Sequence, residues 1–178
     1  MEFQSDSNLA LFPVGLVSSE IKTPFLRADQ NGIAMEGRLE KVKQDIQDMK
    51  HKVSLIIILP ELSGLLTGID QYSHLVILYW AHKVPEQNRA ITQVHPMGRK
   101  ENPKVGIFCT SSPVRPNPIL TTVVKLVAQE GNVLKVTGLD AIDQSLVLDI
   151  KPYVKDFYPQ EKTEIPDWMA RIIAEVHP

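Results

Sequence analysis

The sequence predicts a mainly β protein: a closed or nearly closed barrel with a few peripheral α-helices. Three observations carry this. Strand-length apolar runs outnumber helical patterns, and many are joined by short turns. The strand–helix alternation that builds a doubly wound nucleotide fold is missing. No G-x-G motif occurs anywhere in the chain, so a Rossmann phosphate loop is not expected.

The elements follow in order. Leu11-Phe-Pro-Val-Gly-Leu-Val17 reads as a first strand. Ser18 to Gly37, with Pro24, Asn31-Gly32 and Gly37, reads mostly as loop, and such length inside a compact domain is often functional. From Arg38 to Lys52 the pattern changes. Leu39, Val42, Ile46, Met49 and Val53 recur at steps of three and four, the mark of an amphipathic helix lying over a core or a partner subunit. Val53 to Leu59 is a β-branched strand, and Pro60 to Leu66 suits a short helix ended near Gly68. Ser73 to His82 is the next strand. The polar segment from Val84 to Pro103 reads as a mobile loop, and Val105 to Thr110 as a strand. Ile119 to Gln129 and Val133 to Leu139 form a hairpin about Glu130-Gly-Asn132. Leu146 to Tyr153 is the last strand. Ile165 to Val176 is an amphipathic helix with Pro166 in its first turn. Together these make one domain over 1–178, with a core at about 10–153, a helical insertion at 38–52 and a C-terminal extension from 154.

With 178 residues, 43% hydrophobic and 22% charged, the chain can bury a real core. No apolar run approaches the ~20 residues of a membrane span, and the N-terminus lacks the pattern of a signal peptide. Cys109 is the only cysteine, so neither an internal disulfide nor a Cys-based zinc site can form. In mid-strand it reads as a small buried residue. A cytoplasmic location is the expectation, without membrane or metal. His74 and His82 share a strand but would stand roughly 25 Å apart, too far for one metal. His74 reads as a core histidine, and His82 at the strand's end is the better site candidate. The net charge is −2, yet Lys83, Arg89, Arg99, Lys100, Lys104 and Arg115 stand against only Glu86 and Glu101 between His82 and Arg115. That segment could be a phosphate footprint or a solvated surface.

Two stretches concentrate chemistry. In Val105-Gly-Ile-Phe-Cys-Thr-Ser-Ser-Pro-Val-Arg-Pro-Asn-Pro-Ile119, three prolines stiffen a polar loop. If the loop is strand-like, Arg115 and Asn117 point to one side, a cation and an amide on a backbone with little freedom left. A plain proline-rich turn accounts for the same residues. The second stretch is Leu139-Asp-Ala-Ile-Asp143 followed by Leu146 to Tyr153. Asp140 and Asp143 bracket a turn, where aspartate commonly caps backbone. Asp149 and Lys151 share one strand face among apolar residues, where charges must be paired or used, a cross-strand ion pair being the plain alternative.

These stretches carry a family resemblance. Gly106 to Ile119 resembles the G-V-F-A-T-R-S-P-x-R-P-N-P-I signature of the TrmO (TsaA-like, YaeB) family. Leu139 to Asp143 with Val147 to Tyr153 resembles its L-D-L-x-D-G-T-P-V-x-D-I-K-P-Y signature. Ser73-His-Leu75 to His82-Lys83 resembles its G-F-S-H-L…F-H block, and Phe12 to Phe25 its opening strand and S-P-F. The resemblance implies an S-adenosylmethionine-dependent methyltransferase on a β-barrel. Its reaction would be N6-methylation of threonylcarbamoyladenosine at position 37 of tRNA, and its cofactor site would lie near a homodimer interface. Carried over by position, it implies cofactor contacts from His82, Lys83, Ser111, Thr121, Leu139, Asp140, Ala141, Ile142 and Asp143. Arg115, Asn117, Asp149, Lys151 and Tyr153 match the polar positions that would line the active cleft. Asp140 or Asp143 suits a cationic sulfonium, and Asp149 is a candidate acceptor for the N6 proton. Three positions depart from the signatures: Ser111 stands for Arg, Leu120 for Gly, and Gln144-Ser145-Leu146 for G-T-P. Two alternatives stay open: a cofactor-binding regulatory module without catalysis, and a methyltransferase acting on another RNA or a small molecule.

Overall fold

The computed structural model describes residues 10–23, 26–29, 32–35 and 39–176, with side chains for 10–23 and 43–176. Pro24, Phe25, Asn31, Gly37 and Arg38, singled out in the sequence, lie outside these residues, as do the side chains of Leu39 and Val42. In chain order the strands are β1 (Gly15–Ser18), β2 (Leu26–Asp29), β3 (Gly32–Met35), β4 (Val53–Ile58) and β5 (His74–Trp80). Then come β6 (Gln93–Val94), β7 (Val105–Gly106), β8 (Ile119–Glu130), β9 (Val133–Thr137) and β10 (Leu146–Pro152). The helices are α1 (Leu39–Met49) and α2 (Asp167–Val176). None of the described helices is long and apolar enough to cross a membrane.

Six strands close a barrel in the order β1–β10–β5–β8–β9–β4, every neighbour antiparallel. The period-two pattern of the sequence is what fills it. Leu75, Ile77 and Tyr79 of β5 point inward and are at most 2% exposed. Val17, Ile56, Leu134, Val136 and Val147 meet them at 0%. Burying each such side chain contributes about 1.5–3 kcal/mol. A one-residue slip would turn a whole inward set to water, so the register is strongly specified. Where β1 crosses β4, a Cβ on Gly15 would stand 2.3 Å from the Ile57 carbonyl oxygen, so closure there needs glycine. In β10 the register shifts between Val147 and Asp149. The bulge returns Ile150 to the core and leaves Asp149 and Lys151 on the outer face.

Several expectations need correction. The first strand begins at Gly15, not Leu11; Leu11 and Phe12 are 45% and 81% exposed, and Pro13 has no N–H to give. Within the segment 18–37, expected to be mostly loop, β2 and β3 pair antiparallel, with Asp29 opposite Gly32. The segment 84–103 is pinned rather than loose. Val94 at 2% and buried Pro96 anchor it, β6 pairs with β7, and the Asn102 amide donates to the Pro96 carbonyl at 2.9 Å. Only Val105–Gly106 of the expected strand 105–110 pairs. Ile107 then turns inward at 4%, and the Thr110 hydroxyl closes the turn on the Ile107 carbonyl at 2.9 Å. Phe108 (79%) and Cys109 are thereby exposed, so Cys109 is not a buried mid-strand residue. Nor is His74 a core histidine: it points outward from β5 and its Nδ1 meets the Ser73 hydroxyl at 2.9 Å. Pro60–Leu66 and α2 form as expected. Arg99 ties the 96–98 turn to α2 through Glu175 at 2.7 Å, and α2 touches α1.

Candidate functional site at the barrel mouth

The strand directions put one set of ends together: the C-terminal ends of β1, β5 and β9 and the N-terminal ends of β4, β8 and β10. Residues 138–145 join β9 to β10 across this mouth. Leu139 (1%) and Ala141 (0%) plug it, and Ile142 is half-buried. Backbone bonds fix the crossing: the Asp143 N–H donates to Ile21 O at 2.7 Å, Gln144 N–H to Val17 O at 2.8 Å, and Val17 N–H to Ser145 O at 2.9 Å.

The two aspartates of this turn do different work. Asp143 accepts from the Ser19 backbone N–H at 3.0 Å and pairs with Lys22 at 2.7 Å. That lysine, and next the Ser19 N–H, hold its carboxyl below the ordinary value. Asp143 is therefore a staple, and the capping reading of its position holds. Asp140 instead takes two neutral donors on Oδ1: the Tyr79 hydroxyl at 2.6 Å and the Thr122 hydroxyl. Tyr79 is only 2% exposed. Burial, then the Asp140 charge, pushes its phenol far above the ordinary tyrosine value, so it remains a proton donor to the carboxylate.

His82 leaves β5 at the same mouth. Its Nδ1 lies 3.3 Å from the hydroxyl of Ser145, which is 1% exposed. Burial and then neighbouring Lys83 lower its pKa, with Asp143 opposing, so the imidazole is neutral at pH 7. The Ala81 N–H donates to Pro118 O at 2.8 Å, which brings the exit of the proline loop beside His82. Lys83 is exposed next to it.

The proline loop itself is not strand-like. Arg115 curls back on it, giving Nε–H to Ser112 O at 3.0 Å and an Nη2 hydrogen to Thr110 O. The Val114 side chain (3%) and Pro118 are buried beneath. Arg115 and Asn117 thus do not form a pair on one side. Arg115 clamps the loop, while Asn117 and Ser111 are exposed. Of the six cations between residues 82 and 115, Arg89 stacks on Trp80 at 5.2 Å, Arg99 binds Glu175, and Arg115 serves its own loop. Lys83, Lys100 and Lys104 are the exposed remainder.

Other expected site residues lie elsewhere. Thr121 sits on the outer face of β8, opposite Leu78. Asp149 and Lys151 pair with each other at 2.5 Å, within one strand rather than across two. The Tyr153 N–H donates to His74 O at the far end of β5. At ~3.4 Å per residue His74 and Tyr79 stand roughly 17 Å apart along that strand. On this outer face Lys125, His74 and Tyr153 form a row across β8, β5 and β10. His74 meets Tyr153 edge-on at 6.5 Å, and Tyr153 stacks on Tyr158 at 5.0 Å. Tyr79, Thr122 and Ser145 were missed by sequence reasoning. The signal was there for Tyr79: it falls in the inward register of Leu75 and Ile77, and a buried phenol needs a partner.

Residues 38–158 match the tRNA-methyltransferase O N-terminal domain. A protein of Methanothermobacter thermautotrophicus, named a probable S-adenosyl-L-methionine-binding protein, is 37% identical over 152 residues, 85% of this chain and 95% of its own length. A mouse tRNA (adenine(37)-N6)-methyltransferase is 42% identical over 92 residues, 52% of this chain but only 21% of its own. Among solved structures, TrmO from Pseudomonas aeruginosa superposes with a TM-score of 0.66 at 22% identity, over 93% of this chain. The chain spans 64% of that protein's length, and the likeness carries the fold alone. The barrel, its mouth and a match across two thirds of the residues lead to one statement: the chain belongs to the tRNA-methyltransferase O N-terminal domain family.

Proposed function

We propose that this protein binds S-adenosylmethionine at the barrel mouth and methylates tRNA, at N6 of threonylcarbamoyladenosine in position 37. The observation that carries the reading is convergence. His82, Lys83, the 139–143 turn and the exit of the proline loop come from separate parts of the chain and gather at one end of the barrel. These residues fit the cofactor: Asp140 offers a fixed carboxylate to a cationic ligand, and no lysine or arginine neutralises it among the described residues. When bound, S-adenosylmethionine supplies an electrophilic methyl group on a sulfonium. The chain's own part is to position and to shield. Leu139 and Ala141 close the barrel beneath the ligand, neutral His82 adds no charge beside Lys83, and Arg115 keeps the proline wall in place. In this reading Asp149, Lys151 and Tyr153, on the outer face with His74 and Lys125, would meet the RNA body, where stacked aromatics and lysines suit bases and phosphates.

A second reading has its own support, since several relatives are named only as S-adenosyl-L-methionine-binding proteins. Incubation with methyl-labelled S-adenosylmethionine and total tRNA, followed by nucleoside mass spectrometry, separates the two. Label on the modified adenosine supports methyl transfer. Binding of the cofactor with no label in RNA selects the second reading.

A further inference from the structure

One cation near the mouth is fixed in place yet almost unspent. Arg89 lies half-buried in the turn Glu86–Ala90, with its guanidinium carbon 5.2 Å from the centre of the Trp80 ring. Stacking uses the flat face of the group and leaves its five N–H bonds around the edge. Nη2 gives one hydrogen to Val84 O at 3.3 Å. Nε is buried without a hydrogen-bond partner, and no carboxylate pairs with the group among the described residues. A guanidinium placed for its own hydrogen bonds would not strand a buried N–H, which folded proteins rarely leave unpaired. The fold therefore holds this charge in position at a cost.

The position is specific. Trp80 ends β5 two residues before His82, and it pairs with Ile119, which follows the proline loop. It alternates with inward Tyr79, so its ring faces outward, at the opposite end of the strand from His74. The Arg89–Trp80 stack thus stands on the outer rim of the mouth. We propose that Arg89, held by Trp80, is a subsite for an anionic group of the RNA substrate. The inference rests on the proposed function. Two anions are available in that substrate: the threonyl carboxylate of the modified adenosine and a phosphodiester of the anticodon loop. Both offer paired oxygens to a planar fork, and a guanidinium already fixed on a ring loses little freedom when they arrive.

Two anticodon stem-loop RNAs separate the sources, one carrying threonylcarbamoyladenosine at position 37 and the other plain adenosine. Their affinities for the wild-type protein and Arg89→Gln are read by fluorescence anisotropy over a salt series. Calorimetry with S-adenosylhomocysteine on both proteins controls for the fold around the mouth. Arg89→Gln is expected to weaken RNA binding about 10-fold, the lower end for hydrogen bonds to a charged group, with cofactor affinity unchanged. Loss confined to the modified RNA assigns the carboxylate. Equal loss for both RNAs, with the salt slope reduced by about 1, assigns the phosphodiester. Wild-type affinity of Arg89→Gln for both RNAs overturns the subsite and leaves Arg89 as a brace for the 84–90 turn. A loss shared by S-adenosylhomocysteine overturns it as well, because Arg89 would then shape the mouth as a whole. A wild-type protein that binds neither RNA overturns the proposed tRNA reaction, and this inference with it.

Discussion

Arg115→Ala should loosen the proline loop before it affects anything else. In the folded protein the guanidinium gives Nε–H to Ser112 O at 3.0 Å and a second hydrogen to Thr110 O, tying one end of the loop to the other. Hydrogen bonds from a charged donor contribute about 1.5–3 kcal/mol each. Arg115 is half-buried, so the lower figure applies. Two bonds then amount to about 3 kcal/mol of local stability, or roughly a 150-fold shift in loop opening. Native-state hydrogen exchange reads this directly at Ser112, Val114 and Ile119, whose amides bond within the loop. Their exchange should accelerate about 100-fold. The barrel amides of β4 and β9 should hardly change, since none of their ladder bonds involves Arg115. Arg115→Lys should behave like the alanine variant, because a lysine lacks the fork that reaches both carbonyls. Unchanged loop exchange together with a collapse of methyl transfer would refute the clamp and make Arg115 a substrate contact.

Three further predictions come from named positions. Gln144 stands at φ 67, where the related signature has glycine, so Gln144→Gly should raise stability by about 0.5 kcal/mol in urea unfolding; a loss would mean that the side chain holds Asp143 more strongly than the backbone is strained. His82 has a lowered pKa in the fold, so the unfolded chain takes up its proton first. Stability should therefore fall as pH drops below about 6.5, and His82→Gln should flatten that part of the profile between pH 7.5 and 5.5. Asp143, with its depressed pKa, loses its contribution only as pH falls below the ordinary carboxyl value, and Tyr79 only above the ordinary phenol value, so neither interferes in this window. On the outer face, Lys125→Gln with Tyr158→Ala should weaken tRNA binding about 10-fold by fluorescence anisotropy and lower its salt dependence, with cofactor affinity unaltered; equal loss of cofactor affinity would contradict the separation of the two faces.

Much of the barrel was legible because alternation is a local property. Leu75, Ile77 and Tyr79, or Leu134 and Val136, declare an inward face without reference to the rest of the chain. The β2–β3 pairing was missed because turn residues are as frequent as apolar ones in 18–37. The strand expected to reach Thr110 failed for a tertiary reason: Ile107 is drawn into the interior, which turns Phe108 and Cys109 outward. The candidate site was legible only as a set of stretches. Which aspartate is stapled and which is left charged depends on Lys22 and Tyr79, residues far away in sequence. That Asp149 and Lys151 lie on the outer face depends on the β10 bulge, which has no sequence mark in Val147-Leu-Asp149.

The central claim is that the mouth crossed by residues 139–143 holds the cofactor. A crystal structure of the protein with S-adenosylhomocysteine tests it most directly. The account predicts the ligand against the Leu139–Asp143 turn, beside His82 and with its ammonium or sulfur end toward Asp140. A ligand bound on the outer face near Tyr153, or anywhere away from that turn, would contradict it.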